Sequence, residues 1–342
     1  MKKGSSQLKE KQSLKTKISD FFYELNRKIF PKRRENKIEA VTSMKRREKG
    51  FIVFLLIIPV VHWLIFWLYV NLQSIFLAFQ SYTIDGTGFT LGNFVEVWRQ
   101  ITSPINNTIG LALTNTLKYF ATTVLIIIPL CLVVSFFLYK RIWGYKVFRV
   151  IFYLPAIISG MAMVTAYKEF LDPNGPLGAI MKMFGVDYDV SFLGSSATAT
   201  NTIVVYTILT GLTTNVLLFS GGMARIPLEV LEAAKLDGVG PWKELVKIIF
   251  PLIWPTFSTQ LIFTMTGLFS AGGPILLFTN GDKGTSTIAF WIFSKVYGLD
   301  GTGPSLGAYN IVACAGLCFT LVGVPLILIA RKLTEKIEPV EY

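Results

Sequence analysis

Six stretches of about twenty apolar residues, none holding an aspartate, glutamate, lysine or arginine, leave this chain few folds to choose from. They fall at 51–71, 119–139, 150–167, 203–223, 252–276 and 309–329. A bilayer's hydrocarbon core offers no water to an unpaired N–H or C=O, so segments of this length cross it as α-helices with all their backbone bonds made internally. The fold class expected is therefore an all-α membrane protein with six transmembrane helices. With 52% of residues hydrophobic and 16% charged, a soluble enzyme is excluded. Pro59, Pro129, Pro155, Pro255 and Pro325 lie inside the stretches, and each removes a backbone hydrogen bond, so kinks are expected there.

The basic residues orient the spans. Of 33 lysines and arginines, 27 fall in the 1–50 tail, the loops 140–149 and 225–247, and the C-terminal end. The other side holds Arg99, Lys118, Lys168, Lys182, Lys283 and Lys295. The positive-inside rule then places both termini in the cytoplasm, as an even number of spans requires. Most of the net charge of +12 sits in the first fifty residues, where anionic lipid headgroups are a simpler partner than nucleic acid. Ile18, Phe21, Phe22, Leu25, Ile29 and Phe30 recur there at helical spacing among lysines, a pattern shared by an interfacial amphipathic helix and by a basic tail without structure. The polar lead is too long for a cleaved signal peptide.

Cys131, Cys314 and Cys318 all lie within spans, which suits buried apolar packing and gives no disulfide framework. With His62 as the single histidine, in another span, no metal site is expected, and His62 reads as a hydrogen-bonded interior residue.

The loop between the fourth and fifth spans is long and patterned. Pro227 suits a first helical position, Glu229 and Glu232 complement the positive end of the helix dipole, and Gly238 suits the stop, so a helix is expected over 227–237. Gly240-Pro241 restarts the pattern, with Trp242, Leu245, Val246 and Ile249 on one face before Pro251 opens the next span. Ala233 and Ala234 present almost no side chain, so another protein could approach closely while Glu232 offers a charge. The same small residues suit packing on the helix's own neighbours, and spacing alone does not choose.

The order Glu232-Ala233-Ala234, Gly238, Ile248 and Phe250-Pro251 resembles the EAA motif of binding-protein-dependent ABC transporter permeases, with phenylalanine where the family has leucine before the proline. The resemblance runs from about 51 to 332 and is nearest to carbohydrate-uptake permeases of the maltose and multiple-sugar type. Leu91-Gly92-Asn93-Phe94, Asn115-Thr116-Leu117, Phe148-Arg149, Leu154-Pro155, Ile226-Pro227 and Gly272-Gly273-Pro274 support it. It implies a type I importer permease fold in a bacterial cytoplasmic membrane. The domains would be a basic tail (1–50), a first span and outer loop (51–112), a transmembrane core (113–332) with coupling helices in 224–251, and a C-terminal tail (333–342). The resemblance also implies that Glu232, Ala233, Ala234, Asp237 and Gly238 dock on a cytoplasmic ATPase. The partners implied are two ATPase subunits holding ATP and magnesium, a homologous second permease, and a solute-binding protein meeting the outer loops 73–118, 168–201 and 280–307.

No Gly-Lys dipeptide occurs in the chain, so a phosphate-cradling loop is absent and no catalytic residue is assigned. A neutral sugar or oligosaccharide is the expected substrate, since the spans as drawn hold no lysine or arginine to pair with an anion. Substrate contacts would be uncharged polar groups: Tyr206, Thr210 and Thr213 on span four, Gln260, Thr264 and Gly267 on span five. Trp254 and Trp291 are candidates for stacking or interfacial anchoring. Lys168, Glu169 and Asp172 form either solvated loop charge or an outer gate. Another small polar solute, such as a glycerol phosphodiester, is the alternative substrate. An ion-coupled transporter would need an intramembrane acid that the spans lack. A non-transporting membrane scaffold would keep the same spans.

Overall fold

The structure, a computed structural model, describes residues 46–83, 86–103, 107–299, 301 and 305–337. The amphipathic pattern at Ile18 to Phe30 lies outside the described residues. Two compact units are present, 1–72 and 73–342. In the first, helix α1 (Arg46–His62) passes into a π-helical stretch, Trp63–Tyr69, with its apolar side chains exposed almost throughout. His62 is exposed as well, its ring 4.7 Å from Phe66, which corrects the expectation of an interior residue. The helical path continues as α2 (Val70–Ala78).

The second unit follows α2 with an antiparallel hairpin, β1 (Gln80–Thr83) and β2 (Gly86–Phe89), then α3 (Gly92–Thr102). Glu96 on α3 accepts from Gln100 at 2.7 Å and pairs with Arg99 at 2.6 Å, and these two partners, in that order, hold its carboxyl below the ordinary carboxylate range. Next come α4 (Thr108–Thr122), a π-helical stretch Thr123–Ile127 and α5 (Ile128–Tyr139), together one 32-residue apolar helix. It begins at Thr108, ahead of the expected span start at 119, and so carries Lys118 on the same helix. The remaining long helices are α9 (Ala199–Met223) and α16 (Leu306–Glu335).

Among the described residues four helices are long and apolar enough to cross a membrane, and two bent pairs bring the number to six if each pair is one span. The third expected span, 150–167, is such a pair: α6 (Tyr145–Ile157) and α7 (Gly160–Phe170) meet at 109°. Pro155 has no N–H to give the ladder, and Ile158 and Ser159 turn extended before Gly160 restarts it. Helix α8 (Pro176–Met183) follows. The fifth expected span, 252–276, is also interrupted. After α10 (Leu228–Leu236) and α11 (Pro241–Glu244), a π-helical stretch Leu245–Ile249 leads through α12 (Phe250–Leu252) into α13 (Trp254–Thr266), with a 75° bend. Beyond Gly267 come a 3₁₀ turn, Leu268–Ser270, the non-helical Gly272-Gly273-Pro274, where Ile275 N donates to Gly273 O at 2.8 Å across a tight turn at Pro274, and two short helices, α14 (Ile275–Phe278) and α15 (Ile288–Tyr297). A proline ring crowds the carbonyl four residues before it, and the wide π turns just ahead of Pro129 and Pro251 give that carbonyl room. Gly273 is held by close approach, since a Cβ there would lie 2.7 Å from Ile203 Cγ2.

Buried amides fasten the loops to these helices. Asn115 donates to the carbonyls of Gly284 and Ser286, both at 2.8 Å, and the Thr116 hydroxyl accepts from Ile288 N at 2.9 Å, fixing the start of α15 against α4. Asn93 donates to Ala78 O and Gln80 O at 2.9 Å, and Asn310 to Gln80 O at 2.7 Å, so α3 and α16 hold the hairpin. The Asn93 and Asn115 fragments singled out in the sequence are thus loop clamps. Asn115→Ala strands the Ser286 carbonyl and leaves Gly284 O only the 3.4 Å bond from the Thr200 hydroxyl, and is expected to cost about 1–3 kcal/mol, the cost of an unsatisfied group. A thermal unfolding midpoint in detergent that matches the parent would refute this assignment.

Candidate functional site

Helix α10 carries the EAA residues and ends as the glycine predicts. Val239 N donates to Ala234 O at 3.1 Å and Gly238 N to Lys235 O at 3.1 Å, the paired bonds of a Schellman stop, with Gly238 at φ +67°. Pro227 lies just outside the helix, in extended conformation, where 227 was expected to begin it. Glu232, Ala233, Asp237 and Gly238 are exposed, whereas Ala234 is buried. Leu231 and Ala234 are three positions apart, so both lie on the inward face of α10, and the expectation that both alanines meet a partner is corrected for Ala234.

That inward face joins the main core. Leu231, Leu245 and Ile249 cluster with Ile127, Cys131 and Phe136 of the second span and Leu212, Val216 and Phe219 of α9. Trp242 and Val246, placed on the same face by spacing, are exposed instead, because Glu244 takes an inward position ahead of Leu245. Glu244 is 3% exposed, and both its carboxylate oxygens accept from Lys140 Nζ at 2.7 Å. Lys140 caps the C-terminus of α5, and its ammonium also stands 6.0 Å from the Phe136 ring centroid. Beside this pair the Trp242 ring meets Phe137 edge-on at 5.8 Å. Removing one partner of such a pair strands a buried charge, at about 3–5 kcal/mol, whereas replacing both with apolar groups is often neutral. Sequence reading passed over Glu244; its signal was a single acid set between Trp242 and the apolar run that follows.

Midway along the same long helix lies a cavity of about 250 Å³, lined by Tyr119, Phe120, Thr123, Thr207, Thr264 and Gly267, with Ser270, Ala271 and Gly272 along one side. A second cavity of about 260 Å³ shares Ser270 and Gly272 and runs along Pro274, Thr287 and Phe290. The hydroxyls of Thr123, Thr207 and Thr264 each donate to the carbonyl four residues back, at 2.9, 2.9 and 3.0 Å. Their protons are thus used, and their lone pairs remain as acceptors. The Tyr119 hydroxyl is buried without a partner.

Of the predicted substrate residues, the structure brings Thr264 and Gly267 to the cavity. Tyr206 turns away into an aromatic cluster, its ring 5.2 Å from Tyr167 and 5.0 Å from Phe278. Thr210 bonds back to Tyr206 O at 3.0 Å, and Thr213 is buried with no partner for its hydroxyl. Gln260 donates to Asn215 Oδ1 at 2.6 Å, an amide pair joining α13 to α9. Trp254 donates to Thr334 O at 3.2 Å and so anchors α13 to α16, while Trp291 is buried beside Ile288 and Cys314. Tyr119, Thr123 and Thr207 were missed because one-residue shifts in helix phase decide which side faces the opening. Lys118, next to Tyr119, bonds to the Asn201 side chain at the start of α9. In the charged group beyond α7, Lys168 reaches Leu277 O at 3.4 Å and Asp172 accepts from Asn174 N at 2.8 Å, which are loop bonds and not a gate pair.

Residues 138–339 match the family of binding-protein-dependent transport system inner membrane components. The chain is 25% identical over 285 residues to the multiple sugar-binding transport system permease protein MsmF of Streptococcus mutans, covering 83% of this chain and 94% of that one. It is 25% identical over 177 residues, half of this chain and 58% of the other, to a probable starch degradation products transport system permease, AmyD, of Thermoanaerobacterium thermosulfurigenes. Its fold is shared with a chain of a bacterial alginate ABC transporter solved in complex with an alginate pentasaccharide-bound periplasmic protein. That likeness has a TM-score of 0.70 at 21% identity and covers 85% of this chain and 96% of that chain. With more than half its length matched, the chain belongs to the binding-protein-dependent transport system inner membrane components and is a multi-pass membrane permease, a transport subunit of an ABC transporter.

Proposed function

We propose that this permease forms one half of the pathway of an ATP-driven importer for an oligosaccharide, with α10 and α11 as its coupling helices on the cytoplasmic side. The observation that carries the reading is the division of α10 into two faces. Leu231 and Ala234 are locked into the core while Glu232, Ala233, Asp237 and Gly238 stand exposed on a helix with a fixed stop. A separate ATPase bearing ATP and magnesium would grip that outer face, both chain termini would lie in the cytoplasm, and a second permease would complete the pathway. A solute-binding protein would deliver the sugar from outside, as a periplasmic protein accompanies the structural neighbour. ATP binding would draw the docked helices together and rock the spans between inward-facing and outward-facing states, and hydrolysis would reset them.

A sugar substrate fits the cavity chemistry. Acceptors at Thr123, Thr207 and Thr264 suit hydroxyl protons, and Phe120 offers an apolar flank for a ring. The multiple-sugar and starch-product transport named for two of its relatives agrees with this. Lys118, on the helix that bears the cavity wall, favours as second reading a solute carrying negative charge, such as a glycerol phosphodiester or an acidic sugar.

Affinity purification from the native membrane in mild detergent is expected to recover a second six-span permease, an ATPase and a solute-binding protein. Recovery of the chain alone, with solute flux that needs no ATP, would overturn the importer. Glu232→Lys is expected to leave the permease folded but to reduce the ATPase recovered with it, and undiminished assembly and transport would remove α10 from the docking surface. Thr207→Val and Thr264→Val should each raise the apparent KM for uptake about fivefold, the equivalent of about 1 kcal/mol per hydrogen bond. Unchanged uptake in both variants would place the substrate elsewhere.

A further inference from the structure

We propose that the Lys140–Glu244 pair is a positioning latch that makes the second span the arm by which the docking segment moves the cavity wall. This inference rests on the reading of α10 and α11 as coupling helices. The apolar contacts of Leu231, Leu245 and Ile249 hold the segment in the core, but such contacts are not directional and let one element slide on another. The bidentate pair is directional: two bonds of 2.7 Å to a single ammonium fix both the distance and the orientation of α11 against the end of α5. Lys140 is the C-cap of that helix, so a displacement of Glu244 is delivered to its terminus. From Lys140 the helical path runs without interruption back to Thr108 and carries Tyr119 and Thr123 on the cavity wall, about 30 Å away at 1.5 Å per residue. The π-helical stretch Thr123–Ile127 and Pro129 lie between latch and cavity, where a change of pitch turns a push at one end into a rotation at the other. Latch, helix and wall form a contiguous physical connection with named parts.

The test reconstitutes the full transporter in proteoliposomes and reads substrate moved per ATP hydrolysed. Lys140→Met combined with Glu244→Leu removes the charges while keeping the site filled, so a purely structural role is met and the thermal unfolding midpoint should stay near that of the parent. In that variant ATP hydrolysis is expected to continue while transport per ATP falls tenfold or more. The exchanged pair, Lys140→Glu with Glu244→Lys, should restore coupling at least in part. A folded apolar variant with the parent's ratio of transport to hydrolysis overturns the latch while leaving the importer standing. A parent complex that shows no ATP-dependent transport overturns the importer reading, and the latch with it.

Discussion

An unpaired backbone group in hydrocarbon costs several kcal/mol, and every irregularity in this chain is shaped by that cost. Pro59 and Pro325 sit within continuous α-helix, while at other prolines the helix widens or stops. Before Pro129 and Pro251 it takes a π turn, and after Pro155 it breaks outright at a serine and a glycine. Where the backbone leaves the helix, as at Gly272 to Pro274, protein surrounds it: a Cβ on Gly272 would lie 3.0 Å from Thr287 Oγ1, and one on Gly273 would crowd Ile203. Non-helical backbone in a membrane protein is tolerated where it is buried in protein or lines an opening, and here it does both.

The same cost explains the use of polar side chains. Asn93, Asn115 and Asn310 spend their amide protons on loop carbonyls, and Thr123, Thr207 and Thr264 return their hydroxyl protons to their own helices. What is left for a solute is a set of acceptors, together with a tyrosine hydroxyl that finds no partner within the protein. Among the described residues, the Lys140–Glu244 charge pair sunk in the core at the end of the second span stands apart from this use of amides and hydroxyls. A buried ion pair is weak evidence for stability, but its two directional bonds join the segment that follows α10 to the helix that carries the cavity wall.

Much of the architecture was legible in the sequence because bilayer thickness acts on each segment separately. Apolar length identified where spans occur, and the glycine at 238 marked a helix stop that the left-handed backbone then required. The boundaries were less legible. Thr108 to Lys118 looked like loop because threonines, Asn115 and a lysine interrupt its hydropathy, yet buried contacts from Ile109, Ala112 and Asn115 make it helix. The third and fifth spans read as continuous because hydropathy does not register a turn of the chain.

The sequence by itself determined a polytopic helical permease: span length, the distribution of lysine and arginine, and the spaced residues from Glu232 to Pro251 each act locally. Only the tertiary structure decided that Ala234 faces inward, that Gln260 is satisfied by Asn215, and that Tyr119, Thr123 and Thr207 line the opening with Thr264. It alone paired Lys140 with Glu244 across 104 positions of chain. A helix turns 100° per residue, so a phase set by packing against distant segments decides which side chains meet, and no local window of sequence carries that phase.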